Sequence, residues 1–192
     1  MLLRETTIAV LDFETTGSVP GFDTEPWQVG VVLFENGRVV SEQSFESLIR
    51  VDANRPFNGY APGKHHSLRD EIAVAPPPHE VFRLLEPWVA SRPLAAHNVA
   101  TEKKFLRQMA PMHRFGPWMD TLALARKVYP DAGSHKLEDL MAGLDLATRV
   151  QELCPDREAH DALYDAVAAA VFLEHLLALP EWADAALEMI SF

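Results

Sequence analysis

A chain of 192 residues, 48% of them hydrophobic, can bury one sizeable core, and nothing in it demands a second domain, so one domain over residues 1–192 is expected. A formal net charge of −11 argues against a broad, nonspecific grip on duplex nucleic acid, which needs clustered Lys and Arg; a polyanionic ligand must be held locally. The single cysteine, Cys154, excludes an internal disulfide and a thiolate zinc cage and is read as a small buried residue. No apolar run approaches the roughly 18 residues of a membrane span, and the N-terminus lacks the pattern of a signal peptide, so a cytoplasmic protein with no membrane partner is expected.

The first predicted element is a strand over residues 8–13, apolar on both alternating faces and therefore central. It ends in Leu11-Asp12-Phe13-Glu14-Thr15-Thr16-Gly17. Side chains alternate along a strand, so Asp12 and Glu14 point to the same side, with Cα atoms roughly 6.5 to 7 Å apart. Burying both is costly unless something positive neutralises them; they converge on a shared cation, or they face water in a turn closed by Thr16-Gly17. After a turn-rich stretch, Asn36-Gly37 between the strand-like runs 29–34 and 38–51 predicts an antiparallel hairpin. Residues 52–64 carry Asn, Pro and Gly too densely for regular structure. Ala75-Pro76-Pro77-Pro78 introduces a helix bearing Val81, Phe82, Leu84, Leu85 and Trp88.

Residues 93–97 form a short buried strand candidate, and the helix after it, 100–109, turns Phe105, Leu106 and Met109 inward, which implies a crossover to a parallel strand. Asp120 is assigned to capping, not catalysis, at the start of a helix bearing Leu122, Leu124, Ala125 and Val128 and stopped by Pro130. Ser134 is expected to cap a short helix with Leu137, Leu140 and Met141, and two final helices are expected at 161–179 and 181–190. Trp27 and Trp118 are assigned to packing rather than base stacking. The order β-β-β-α-β-α followed by helices predicts an α/β sandwich with a mixed sheet, three leading strands of which the second and third are antiparallel.

Helical spacing singles out two further acids. Glu102 shares a face with Phe105, Leu106 and Met109, and Asp165 lies in line with Ala162, Ala166, Ala169, Phe172 and Leu176. Each is an acid at the margin of an apolar stripe, pairing with a neighbour such as Lys103 or Arg157, or a carboxylate aimed at a site. His160, just before the last long helix, is a cap or a group that moves a proton. The remaining histidines, His65-His66 included, show no metal-binding spacing on a shared helix face.

Three blocks in order resemble the DnaQ-like, or DEDDh, 3′-to-5′ exonuclease family of the RNase H-like fold: residues 11–17, the stretch Ala96-His97-Asn98-Val99-Ala100-Thr101-Glu102-Lys103-Lys104-Phe105-Leu106, and His160-Asp161-Ala162-Leu163-Tyr164-Asp165-Ala166. The resemblance implies a metal-dependent exonuclease releasing nucleoside 5′-monophosphates from single-stranded DNA, RNA or short oligonucleotides. It implies two divalent cations, Mg²⁺ or Mn²⁺, held by Asp12, Glu14, Glu102 and Asp165, with His160 as general base. It further implies that Phe13, Thr15, Thr16 and Gly17, with His97 and Asn98, hold the 3′-terminal nucleotide. Hard oxygen ligands suit such ions, and a pair roughly 3.5 to 4 Å apart can stabilise both the attacking and the leaving oxygen.

One position departs from the family pattern. Thr101-Glu102 stands where the second block usually has an aromatic residue and Asp, and Glu moves the carboxylate by about 1.5 Å. That motivates an alternative, a catalytically weakened nuclease fold that binds nucleic-acid 3′ ends or acts as a scaffold. A third reading, a subunit that edits a polymerase's errors, is set behind a free-standing protein because no long tail follows the last helix.

Overall fold

The structure, a computed structural model, describes residues 2–187. Five strands, β1 (Ile8–Thr15), β2 (Pro26–Glu35), β3 (Arg38–Leu48), β4 (Leu94–Ala96) and β5 (Trp118–Asp120), form a sheet in the order β3-β2-β1-β4-β5. The β1/β2 and β2/β3 pairs are antiparallel, and the β1/β4 and β4/β5 pairs are parallel. β1 therefore sits where the hairpin half of the sheet meets the crossover half. The predicted hairpin turn is Asn36-Gly37, both residues at positive φ (52° and 76°), between the paired Glu35 and Arg38.

Among the described residues seven helices flank the sheet: α1 (Arg69–Val74), α2 (Pro78–Val89), α3 (Ala100–Met109), α4 (Thr121–Val128), α5 (Leu137–Gly143), α6 (Ala147–Leu153) and α7 (Ala162–Ala178). Strand alternation divides the core in two. Ala9, Leu11, Val29 and Val31 meet Val81 and Leu85 of α2 and Phe105 and Leu106 of α3. Ile8, Val10, Val32 and Phe34 face the other way, toward α7. That helix is apolar nearly all round, as a helix enclosed on every side must be, and Leu124, Leu140 and Val150 of α4, α5 and α6 pack about it. Cys154 is buried, as expected, and Trp27 and Trp118 pack in the interior.

Several elements differ from the sequence reading. Neither α1 nor α6 was anticipated; each buries a single residue, Ile72 or Val150, and so has no apolar stripe to read. β5 has only three residues, too few to show a period. Its last residue, Asp120, is the N-cap of α4, accepting from the N–H groups of Leu122 and Ala123, as predicted. Ser134 does not cap α5; Lys136 occupies the N-cap position, and the Ser134 Oγ accepts from its N–H at 3.3 Å. Residues 181–184 are turn rather than helix, Ala186 bridges back to Leu2, and residues 188–190 of the expected last helix lie outside the described residues.

Gly30 of β2 decides how closely α7 approaches the sheet. A Cβ there would lie 2.2 Å from the Leu163 nitrogen and 2.4 Å from the Ala162 carbonyl carbon, both backbone atoms that cannot rotate away. Gly30 is also the cross-strand partner of Asp12, so the first turn of α7 rests beside the strand position that carries this carboxylate. Gly30→Ala should destabilise the fold by about 3 kcal/mol or more, as overpacking against backbone does. Urea denaturation checks this, with Gly143→Ala, whose added Cβ meets nothing within 4 Å, as the tolerated control.

Candidate active site

Pairing between β1 and β4 covers only Ala9↔Leu94 and Val10↔Ala95. Beyond it β1 runs on through Asp12 and Glu14, still paired with β2 but with no strand on its β4 side, while β4 and β5 end at Ala96 and Asp120. The carboxyl ends of the three parallel strands thus open one crevice, the usual location of a site in such a sheet. The first turns of α3 and α7 both reach it, one from each face.

Asp161 fixes the start of α7. Its Oδ1 accepts from the N–H groups of Leu163 (3.1 Å) and Tyr164 (3.3 Å), Arg157 Nη1 bonds both of its oxygens (3.0 and 2.9 Å), and Gln28 Nε2 donates to Oδ2 at 3.2 Å. Gln28 Oε1 in turn accepts the N–H of Ala162 at 3.3 Å. Because Asp161 is the cap, the His160 ring is not needed for that task. His160 sits at a φ of 67°, its N–H donates to Asp165 Oδ2 at 3.2 Å, and its ring lines a cleft of about 740 Å³ together with Tyr60, His97, Asn98, Glu138 and Asp165. Glu14, His160 and Asp165 each offer a ligand atom, and these atoms lie within 4.8 Å of one another.

Electrostatically the cluster is strained. Burial, followed by repulsion from Glu102, Asp165 and Glu14, holds the Asp12 carboxyl well above its ordinary range. Glu14 is pushed up to about 8 by burial and then by Asp165 and Asp161. Asp165 rises to about 7, again first through burial, with the His160 N–H pulling in the opposite direction. Glu102 is 2% exposed, its Oε2 has no hydrogen-bond partner, and burial raises it to about 8 against the pull of the Glu102 and Phe13 backbone amides. Glu102 is thus no marginal acid, and Arg157 bonds Asp161 and Glu46 instead of Asp165.

The remaining predicted residues fall into distinct positions. The Phe13 side chain is buried edge-on against Phe105 (5.6 Å) on the α3 face, so only its backbone borders the crevice. Thr15 Oγ1 accepts the Gly17 N–H at 3.2 Å. Thr16 is fully buried, and its hydroxyl accepts from the Glu25 N–H (3.1 Å) and from Arg55 (3.4 Å), so it ties loops together rather than facing a ligand. His97 spends both ring nitrogens, on the Thr121 hydroxyl and the His135 carbonyl, each at 2.9 Å, and burial pushes its pKa down. Asn98, at a φ of 80°, is held by its N–H to Asp120 Oδ1 and exposes its side chain to the cleft. Gln28, Gly30, Asp161, Glu138 and Tyr60 were not singled out from sequence. Gln28 and Gly30 did leave a trace, a polar residue and a bare position in an otherwise apolar strand.

The model for the exonuclease family RNase_T matches residues 9–173. The chain belongs to the DnaQ-like, DEDDh exonuclease family. It is 32% identical over 181 residues to a DNA polymerase III subunit epsilon-like protein of Rhodobacter capsulatus, covering 92% of this chain and 25% of that one. It is 29% identical over 180 residues to the DNA polymerase III PolC-type of Bacillus cereus, covering 92% of this chain and 12% of that one. The exonuclease chain therefore spans a quarter or less of these relatives. Among solved structures, Exonuclease X in complex with 5′ overhanging duplex DNA superposes with a TM-score of 0.70 at 23% identity, covering 96% of this chain and 97% of that one. The nuclease domain of 3′hExo bound to rAMP gives 0.73 at 18% identity (92% and 94%), and S. pombe Pop2p in its Mg²⁺- and Mn²⁺-bound form gives 0.69 at 13% (96% and 88%). These likenesses establish an RNase H-like exonuclease fold.

Within this exonuclease fold the donor set fits a hard divalent cation. Two of its three donors, Glu14 and Asp165, are carboxylates that repel one another, and Glu102, which repels Asp12, carries an orphaned buried oxygen. With Glu14 and Glu102 raised from 4.5 to about 8, the folded chain holds more protons than the unfolded one between those values. The stability these groups allow is therefore full below about pH 4.5 and lost as pH rises toward 8. In chelator, Glu102→Gln should melt at the same temperature as the parent at acid pH and above it at alkaline pH, measured by scanning calorimetry. Added Mn²⁺ should raise the parent's melting temperature most at alkaline pH, where no proton must be displaced.

Proposed function

We propose that this chain is a divalent-metal-dependent 3′-to-5′ exonuclease that acts on single-stranded DNA or RNA ends and releases nucleoside 5′-monophosphates. The observation that carries it is the meeting of Glu14, His160 and Asp165 within 4.8 Å, electrostatically coupled to Asp12, which repels Glu102 in turn. The Mg²⁺- and Mn²⁺-bound Pop2p and the rAMP-bound 3′hExo domain support the metals and the kind of product. We assign the metal ligands to Asp12, Glu14, Glu102 and Asp165 and the ions to a pair of Mg²⁺ or Mn²⁺. Bound there, they would stabilise charge on the attacking and leaving oxygens.

The chain's own residues supply the rest. Asp12, bordered by the bare Gly30, and Asp165, braced by the His160 N–H, are preorganised by backbone, so little reorganisation is left for the reaction. The His160 ring takes the proton from the water that attacks phosphorus, acting as general base. Its Nε2 lies 3.8 Å from Glu138 Oε2. Backbone of residues 13–17 and the Asn98 side chain border the position of the 3′-terminal nucleotide, with Thr16 and His97 bracing that wall.

Digestion of 5′-labelled single strands with Mg²⁺, with Mn²⁺ and with chelator tests the reading. A metal-dependent ladder shortening from the 3′ end is expected; Asp12→Asn and Asp165→Asn should abolish it, and His160→Ala should lower kcat by about 10² to 10⁴. A ladder unchanged in Asp12→Asn would remove the assignment. The second reading, a weakened nuclease fold that binds 3′ ends, is favoured by Glu102 with its extra methylene. If Glu102→Asp binds Mn²⁺ as the parent does yet cleaves far faster, the natural site is detuned.

A further inference from the structure

An acidic chain that cleaves a polyanion must hold the strand somewhere other than among its own carboxylates. Many of its cations are already engaged: Arg55 with Glu25, Arg157 with Glu46 and Asp161, Arg149 with Glu152 and Glu174, Lys64 with Glu158. A further cluster of cations lies on and beside α3. Lys103, Arg107, His113 and Arg114, with Phe115 and Trp118, line a groove of about 420 Å³ between α3 and the segment leading into β5, and no carboxylate lines it. Arg107 and Arg114 are exposed and make no ion pair with any other described residue. Lys103 Nζ lies 5.7 Å from the centre of the Trp118 ring, and the Phe115 ring stacks on His113 at 5.9 Å and 15°. His113 Nε2 lies 2.9 Å from Glu86 Oε1.

The position of the groove connects it to the crevice. Lys103 directly follows Glu102, and Arg107 lies four residues further along the same helix, about 6 Å away along the axis. The cationic row therefore begins in the same helical turn as Glu102, on a neighbouring face of α3, and leads away along the outer edge of β5, an edge strand of the sheet. A cationic rim supplies the charge that phosphates of a single strand require, and the buried Trp118 ring with the Phe115 ring stacked on His113 forms the floor beneath it. Resting on the exonuclease reading above, we propose that this groove holds phosphates of the substrate strand on the 5′ side of the terminal nucleotide, with Arg107 and Arg114 as the principal contacts. The groove makes the enzyme prefer strands long enough to reach it.

The test uses the full chain and two substrates, a labelled 20-nucleotide single strand and a dinucleotide, each with Mn²⁺ over a salt series. For the Arg107→Ala/Arg114→Ala double variant the long-strand KM should rise about tenfold at low salt with kcat unchanged. Dinucleotide kinetics should stay as in the parent. The dependence of log KM on log salt should weaken by about 1.4, the value for two single-strand phosphates. The double Lys variant, which keeps the charge, should recover most of the affinity. Equal KM and equal salt slope on the long strand would overturn the groove and leave an acidic protein segment as its occupant. If the parent cleaves neither substrate, the exonuclease reading fails, and fluorescence anisotropy of the long strand still decides the groove: weaker, less salt-sensitive binding by the double Ala variant supports it, and equal binding overturns it.

Discussion

The start of α7 lies against Gly30 with no side chain between helix and sheet, and that contact sets the geometry of everything near it. A side chain there would displace the helix and with it Asp165 and His160, which sit in and just before its first turn. The same few residues supply the polar restraints. Gln28, two positions before Gly30 on β2, binds both Asp161 and the N–H of Ala162, so one strand holds the helix by close approach and by hydrogen bonds together. Asp161 satisfies the helix's free N–H groups at the point where a capping side chain contributes most.

This rigidity is what allows carboxylates to be gathered without collapse. Burial and mutual repulsion raise Asp12, Glu14, Glu102 and Asp165, and in the absence of restraint such groups would move apart or toward water. Two layers of apolar packing, α7 on one side and α2 with α3 on the other, hold the chain against that repulsion. The electrostatic cost is the same feature that suits the cluster to a divalent cation. The charge balance of the whole molecule then separates two tasks, carboxylates at the crevice and a cationic groove beyond it on α3.

Much of the fold was legible because its signals are local. Asn36-Gly37 specifies a tight hairpin, the apolar run of 8–13 marks a central strand, and the spacing of Ala162, Ala166, Ala169 and Phe172 marks a helix pressed against a sheet. Elements that are short and bury one residue, such as α1 and α6, leave no such pattern. The three-residue strand β5 is defined by its ladder to β4 and not by its own sequence. In the candidate site the acids were visible as charges on apolar faces. The roles of Thr16 and His97 were not, since these residues face inward to Arg55, Glu25, Thr121 and His135, partners far away in the chain.

By itself the sequence determined the residue types and their local directions: two acids on one side of a strand, and acids turned inward on two helices. Those follow from the periods of strand and helix, which are properties of the backbone. Only the tertiary structure decided that Glu14 and Asp165 meet beside His160, that Asp161 and not His160 caps α7, and that Glu102 is buried with an unpartnered oxygen. The placing of α7 beside β1 depends on contacts between distant segments, such as Gly30 with Leu163, and no local period encodes such a distance.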